Sequence, residues 1–499
     1  MLELRDYQEY AIKKLRGAIN QGARRPLLTL PTGAGKTVLA AGMTDSAVAQ
    51  GNRVLFLAHR RELIDQTYRQ FYTAGIDTGI LMAERPRTEA PVQVASIQTL
   101  QARLAKGGFR PPEADLVFVD EAHRAPSNQY RRILDGQYPN AVTVGLTATP
   151  VRGDGTGMGT IFDDLVIGPT VRELTDRGHL VPMRYYAPSI PDLTGVEVRD
   201  DDYVESQLAQ AMDDKKLIGD IVSQWHRLAS DRQTVVFASS VAHSRHLAQA
   251  FKATGVAAEH IDGETFREER DEIIRRVKRG DVQVLCNCLV TTEGWDAPEV
   301  SCAVLARPTK SLGLFLQMAG RVLRPAPGKA DALLLDHSGS VHQHGFVDDN
   351  HLWSLDTTER VQDRQKRLTP DEPKRITCGS CGYVYQGRAV CPQCGWAPPA
   401  KTEAPDVDEG DLVHLDGQRE REGKSRQWTR ADRQRWYSML LGHARSYGKK
   451  DGWAAHKFRE KIGEWPNGLE RTPQQPDGEV AGWIKHIQIR DAKRREKQA

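Results

Sequence analysis

The chain has 499 residues, 39% hydrophobic and 27% charged, with a formal net charge of +3. That length exceeds one compact core and implies roughly three or four folded units, while no run of about 18 apolar residues exists to cross a bilayer. The first residues, MLELRDYQEYAIKKL, lack the apolar stretch of an export signal, so a cytoplasmic protein without a membrane partner is expected.

Near the start, Arg5 and Gln8 stand in LRDYQEYAI, just before an amphipathic helix. A glutamine amide both donates and accepts, which suits reading an adenine edge, although by itself Gln8 reads as an exposed side chain at a helix start. From Leu27 to Pro150, apolar runs (LLTL, RVLFLAH, VQVAS, DLVFVDE, TVGLTATP) alternate with amphipathic stretches. That alternation predicts a parallel, doubly wound α/β lobe over 1–170.

PTGAGKT, Pro31 to Thr37, follows the first of these strands and precedes a helix-like stretch, the context a phosphate-binding loop requires. Thr32, Gly33, Ala34, Gly35 and Lys36 would then surround the phosphates of ATP. Lys36 neutralises β- and γ-phosphate charge, Thr37 ligates Mg²⁺, and the helix N-terminus adds its dipole. One departure is Leu30, where the general pattern carries glycine. DLVFVDEAH then puts Asp120 and Glu121 at the end of a buried strand, where carboxylates are costly without a partner. Mg²⁺ held by Asp120 is such a partner, and Glu121 can orient and deprotonate an attacking water. His123 can couple this site to its neighbours; its plainer reading is a turn histidine.

VRELTDRGHLVP carries the chain into a second series of apolar runs, TVVFAS, AEHID, VQVLCN, AVLARP and ALLLDH. These predict a second lobe of the same class over 171–345. Cys286, Cys288 and Cys302 lie in or beside those runs and read as packing thiols. A polar linker is expected over 346–375. CGSCGYVYQGRAVCPQCGW follows, two CxxC pairs nine residues apart, each trailed by glycine. Cys378, Cys381, Cys391 and Cys394 can close a tetrahedral Zn²⁺ site in a compact ribbon over 376–398, the alternative being a redox CxxC.

A flexible tether over 399–423 leads to a basic helical module over 424–499, with 18 Lys/Arg against 9 Asp/Glu. Five tryptophans fall there: Trp428, Trp436, Trp453, Trp465 and Trp483. Aromatics beside cations can stack on exposed bases, but the plainer reading is the core of a small helical domain.

The ordered set PTGAGKT, LAHRREL, DEAH, TAT, VFASS, TTEGWDAP and QMAGRVLR resembles the superfamily 2 helicases and translocases. The resemblance implies two RecA-like lobes sandwiching ATP, with Gln317, Arg321 and Arg324 reaching across from the second. It makes Arg324 the finger and Arg321 its companion. It also puts Thr292, Glu293, Gly294 and Asp296 at the lobe interface, and has Thr147 and Thr149 link the ATP site to lobe closure. The wording GWDAP, LAHRREL and the appended cysteines look most like RadD-type bacterial DNA-repair enzymes and related phage helicases, which implies a DNA substrate. A protein partner could bind through the ribbon or the C-terminal module. Two other classes stay open. One is a nucleic-acid-binding scaffold with a degraded ATPase, opposed by the retention of Lys36, Glu121 and Arg324. The other is a motor subunit whose effector is a separate chain.

Overall fold

The computed structural model describes residues 3–398 and 428–496, apart from 84, 86–87, 189, 200, 292–294 and 371–372; for 488–496 only the helical backbone is described. The expected tether and three positions of the TTEGWDAP loop, Thr292, Glu293 and Gly294, lie outside the described residues. Two compact units are present, 1–401 and 402–499.

The first seven strands are β1 (Pro26–Thr29), β2 (Val54–Ala58), β3 (Thr78–Leu81), β4 (Val92–Ser96), β5 (Leu116–Asp120), β6 (Val142–Thr147) and β7 (Asp164–Ile167). They form one parallel sheet in the order β3-β4-β2-β5-β6-β1-β7. β1, β2 and β4 are buried at every position, as a sheet covered by helices on both faces demands. Because β5, β6 and β1 are neighbours, the loops at their carboxyl ends converge, and those loops carry DEAH, TAT and PTGAGKT. Ligands of open α/β sheets bind at such edges.

Lobe 2 adds β8 (Met183–Tyr186), the hairpin β9 (Val198–Arg199) and β10 (Asp202–Tyr203), then β11 (Thr234–Ala238), β12 (Ala258–Ile261), β13 (Val284–Asn287), β14 (Cys302–Ala306) and β15 (Ala332–Asp336). Its main sheet is parallel, in the order β12-β13-β11-β14-β15-β8. Cys286 and Cys302 are buried in it, and burial pushes the Cys302 thiol up to about 12, as befits packing groups.

The ribbon strands β16 (Arg375–Thr377) and β17 (Val384–Gln386) pair antiparallel. Tyr383 bridges to Tyr186 of β8, and Ala187 N–H donates to the Gly382 carbonyl at 2.9 Å. The ribbon thereby covers what would be an open sheet edge.

The polar segment expected as a linker is instead packed. It holds a helix, Val361–Leu368, and crosses from lobe 2 back to lobe 1. The Asp348 carboxylate accepts from the Tyr185 hydroxyl in lobe 2 at 3.1 Å. Further on, Gly157 N–H donates to the Asp356 carbonyl at 2.6 Å, Gly159 N–H to Leu355 at 2.9 Å, and Val361 N–H to Gly155 at 3.0 Å. A Cβ at Gly157 would overlap the Leu355 and Asp356 carbonyl groups, so only glycine lets this strap lie flat. Composition hid the strap because its bonds to Gly155, Gly157 and Gly159 of lobe 1 are made by backbone.

The second unit has three described helices, Arg430–Ser446, Asp451–Ile462 and Gly478–Glu496. Trp436 is buried at their centre with Leu440, Leu441, Phe458 and Ile484, and Trp428 and Trp483 meet it edge-on at 5.8 and 5.6 Å. No helix among the described residues is long and apolar enough to cross a membrane.

Gly157→Val is expected to unseat the strap at a cost of about 1–3 kcal/mol, typical of overpacking. Calorimetry should give a lower first unfolding transition, and trypsin should cut faster within 346–368. Wild-type behaviour in both would mean that the strap is not seated on Gly157.

Candidate nucleotide site between the lobes

The loop after β1 turns through left-handed glycines, Gly33 at φ +88° and Gly35 at φ +75°, before the helix Lys36–Ala49 begins. It is held from behind. The Gln8 amide donates to the carbonyls of Ala34 (3.2 Å) and Gly35 (3.3 Å), and the Tyr7 hydroxyl donates to Ala34 at 2.9 Å. In a trans peptide the N–H opposes the C=O, so these bonds aim the N–H groups of Gly35 and Lys36 away from Gln8, toward the open side of the loop. Gln8 Oε1 accepts from Arg5 N–H at 2.9 Å and keeps one lone pair for another donor. Gln8 is thus buried beneath the loop rather than exposed at a helix start.

Asp120 ends β5, and both Asp120 and Glu121 are buried. Glu121 takes a left-handed backbone, φ +47°, and its N–H donates to Asp120 Oδ1 at 3.0 Å. Such a conformation costs a non-glycine residue about 1–3 kcal/mol and clusters at functional sites. The Glu121 carboxylate lies 3.4 Å from His123 Nδ1, which is 3.4 Å from Thr147 Oγ1. Thr147 Oγ1 donates to the Thr149 carbonyl and accepts from Thr149 N–H, both at 3.1 Å. His123 is therefore part of a polar chain that runs from the carboxylate into the TAT segment.

That chain ends at lobe 2. Thr149 Oγ1 stands 3.3 Å from where a Cβ on Gly313 would be, and Gly313 belongs to the helix Leu312–Gly320. At the other end of the helix, Gly320 faces Thr32 so closely that any side chain there would collide. Gln317 and Arg321 are buried; Arg321 donates to the Trp295 carbonyl at 3.1 Å. Arg324 donates to the same carbonyl at 3.4 Å, pairs with Asp296, and runs over Gly33, its Cγ 3.0 Å from the Cβ position there.

Lys36 lies in the common field of these groups. Burial lowers its pKa, the nearby Glu121 and Asp120 raise it, and Arg321 and Arg324 lower it again. Two carboxylates and three cations from both lobes thus surround one loop with outward N–H groups, an arrangement suited to a polyphosphate and a divalent cation. Thr37, in the first turn of the helix, and Asp120 are the residues that could hold that cation.

One residue carried no role in the sequence reading. Arg60 of LAHRREL reaches across to the carbonyls of Val290 (3.2 Å) and Leu289 (3.4 Å), and Leu289 is itself left-handed at φ +58°. The only signal was two arginines directly after a buried strand. Beside this contact lies an open cleft of about 570 Å³, lined by arginines and carboxylates alike, among them Arg61, Arg270, Glu62, Asp65 and Asp296, with Trp295.

In the ribbon, the four Sγ atoms of Cys378, Cys381, Cys391 and Cys394 lie within 4.8 Å of one another, and none is in a disulfide. The two knuckles match: Gly382 N–H donates to Cys378 O at 3.0 Å and Gly395 N–H to Cys391 O at 2.9 Å, with both glycines left-handed. Sulfurs around a tetrahedral zinc at about 2.3 Å stand roughly 3.8 Å apart, and Cys378–Cys394 and Cys381–Cys391 are 3.5 and 3.9 Å apart.

Residues 1–152 match the family model described as type III restriction enzyme, res subunit, and residues 215–326 match the helicase conserved C-terminal domain. The chain is 33% identical over 371 residues to a 51.5 kDa protein of Lactococcus phage (isolate 7-9), covering 74% of this chain and 77% of that protein. It is 32% identical to a Saccharomyces cerevisiae protein named as an ATP-dependent helicase, IRC3, covering 68% of this chain but only 52% of that one. It therefore spans about half the length of the yeast protein. The fold is similar to a fragment of an HsdR subunit of a type I restriction enzyme from Vibrio vulnificus YJ016, with TM-score 0.54, 23% identity, and 68% and 67% of the two chains covered. With two parallel-sheet lobes, both family domains in order, and the phosphate loop and arginines facing each other, this chain belongs to the superfamily 2 helicases.

Proposed function

We propose that this chain is a DNA-dependent ATPase that translocates on or separates nucleic-acid strands, in the manner of the RadD-type and phage enzymes it resembles. The observation that carries the reading is the seam itself, where Arg324 and Arg321 of lobe 2 stand at the phosphate loop of lobe 1. DNA rather than RNA is supported by the restriction-enzyme descriptions of the matching family and of the similar structure. The latter is one subunit of a larger enzyme, which also favours action alongside a separate effector chain.

In this reading Lys36 and the N–H groups of Gly35 and Lys36 hold the β- and γ-phosphates, while the remaining lone pair of Gln8 accepts from the adenine amino group. Mg²⁺, which Thr37 and Asp120 would hold, would supply charge neutralisation. Glu121 takes a proton from water as its oxygen bonds to the γ-phosphorus and the bond to the ADP oxygen breaks. Arg324 exchanges Asp296 for the charge developing on the transferred phosphoryl group, with Arg321 as companion and Gln317 packed beside them. The chain Glu121–His123–Thr147–Thr149 reports the state of the carboxylate to Gly313 and so to lobe 2. Closing and reopening the lobes changes the spacing of two phosphate-gripping surfaces, which produces stepping.

ATP turnover should rise strongly with DNA, single- or double-stranded, and little with RNA at the same salt; a larger rise with RNA would overturn the substrate and keep the motor. Lys36→Ala and Glu121→Gln should each lower turnover by about 10²-fold or more. Near-wild-type turnover in either would remove the site assignment. For the ribbon, elemental analysis should find about one zinc per chain, lost in Cys391→Ser; disulfides in place of metal would establish the redox alternative.

A further inference from the structure

The C-terminal bundle uses its cations in two distinct ways. Arg433 pairs with Glu464 (3.1 Å), Arg445 with Asp451 (3.0 Å), Lys457 with Glu460 (2.8 Å), and Arg435 with Asp477. Three of these tie helices and turns together, and Lys457–Glu460 lies within one helix. Lys449, Arg459 and Lys461 pair with no carboxylate among the described residues, and each sits over an indole. Lys449 Nζ is 4.2 Å from the centre of the Trp453 ring, the Arg459 guanidinium 4.8 Å from Trp465, and Lys461 Nζ 5.1 Å from Trp436. Lys461 covers the core tryptophan, while the other two cover Trp453, half-buried against the core, and Trp465, which is exposed.

Both of these rings continue into others. Tyr447, 70% exposed, lies 4.5 Å from the His443 ring at an interplanar angle of 33°, and His443 lies 5.4 Å from Trp453 at 35°. One turn along the helix from Trp453, His456 meets Trp465 at 5.0 Å, and Trp465 is 40% exposed. Packing has thus divided the tryptophans: Trp436 fills the core, and Trp453 and Trp465 line an aromatic row with cations on it.

We propose that this row, Tyr447–Lys449–Trp453–Arg459–Trp465, is a second binding site for single-stranded nucleic acid, built from residues of the C-terminal unit alone. The chemistry discriminates among occupants. An apolar protein surface laid on these rings would bury Lys449 and Arg459 without counter-charge, which is costly. An acidic peptide satisfies the cations and leaves the rings unused. Single strands offer both, bases with exposed π-faces and a phosphate at every step, whereas duplex bases are already stacked on one another. The site does not depend on the motor reading, since none of its residues belongs to the nucleotide seam.

The test uses the full chain without nucleotide and measures binding of a fluorescent oligothymidylate and of a duplex of equal length. Tyr447→Ala/Arg459→Ala/Trp465→Ala should weaken oligothymidylate binding about tenfold or more, change duplex binding little, and leave DNA-free ATP turnover at the wild-type rate. Tyr447→Phe/Trp465→Phe keeps the rings and should bind as wild type. Unchanged oligothymidylate affinity in the alanine variant, an equal loss for duplex, or an equal loss in the phenylalanine variant would each overturn the proposal. ATP turnover on the same samples separates a failed site from a failed motor.

Discussion

The contact on which the rest of the architecture depends is the approach of the helix Leu312–Gly320 to the phosphate loop. Gly320 faces Thr32 with no room for a side chain, and Arg324 crosses Gly33. Each lobe alone buries its own sheet, but neither completes a charge-balanced seam. Lys36 in lobe 1 is flanked by carboxylates of its own lobe and by arginines of the other. The three cations at this loop are met by the carboxylates of Asp120, Glu121 and Asp296, and the outward N–H groups of the loop suit a polyphosphate anion beside them.

Two mechanical features follow from that seam. The polar chain from Glu121 through His123 and Thr147 reaches Thr149, whose Oγ1 faces Gly313 at the start of the same helix, 3.3 Å from where a Cβ there would stand. The carboxylate's chain thus faces one end of the helix, and the arginines stand near the other. Across the lobes, the strap from lobe 2 adds three backbone bonds to the 155–159 segment of lobe 1. These bonds join the strap to lobe 1, and Val347, His351 and Trp353 of the strap also line a small cavity with Thr32 and Gly320.

Legibility in the sequence followed the chemistry of side chains. Lys36, Asp120, Glu121 and the four cysteines announced themselves because a phosphate loop, a buried carboxylate pair and a CxxC pair each need particular residues at particular spacings. The parallel lobes were legible for a related reason: strands buried on both faces are continuously apolar. Features built from backbone were silent. The strap reads as a polar linker because Gly155, Gly157 and Gly159 bind it through main-chain atoms, and Arg60 gave no sign that its partners would be carbonyls more than 200 residues away. Gln8 looked like an exposed helix start because its partners, Ala34 and Gly35, are carbonyls too. The tryptophans of the C-terminal bundle could not be apportioned between core and surface from spacing alone, since Trp436 and Trp465 both stand beside charged residues.

The most direct measurement of the central claim is energy transfer between fluorophores introduced as unnatural amino acids at Lys106 in lobe 1 and Arg275 in lobe 2. Both are exposed. Adding a non-hydrolysable ATP analogue with Mg²⁺ should raise transfer in the otherwise wild-type chain and leave it unchanged with Arg324→Ala. No change in the wild-type background, or an equal rise with Arg324→Ala, would contradict the claim that nucleotide joins the lobes through this arginine.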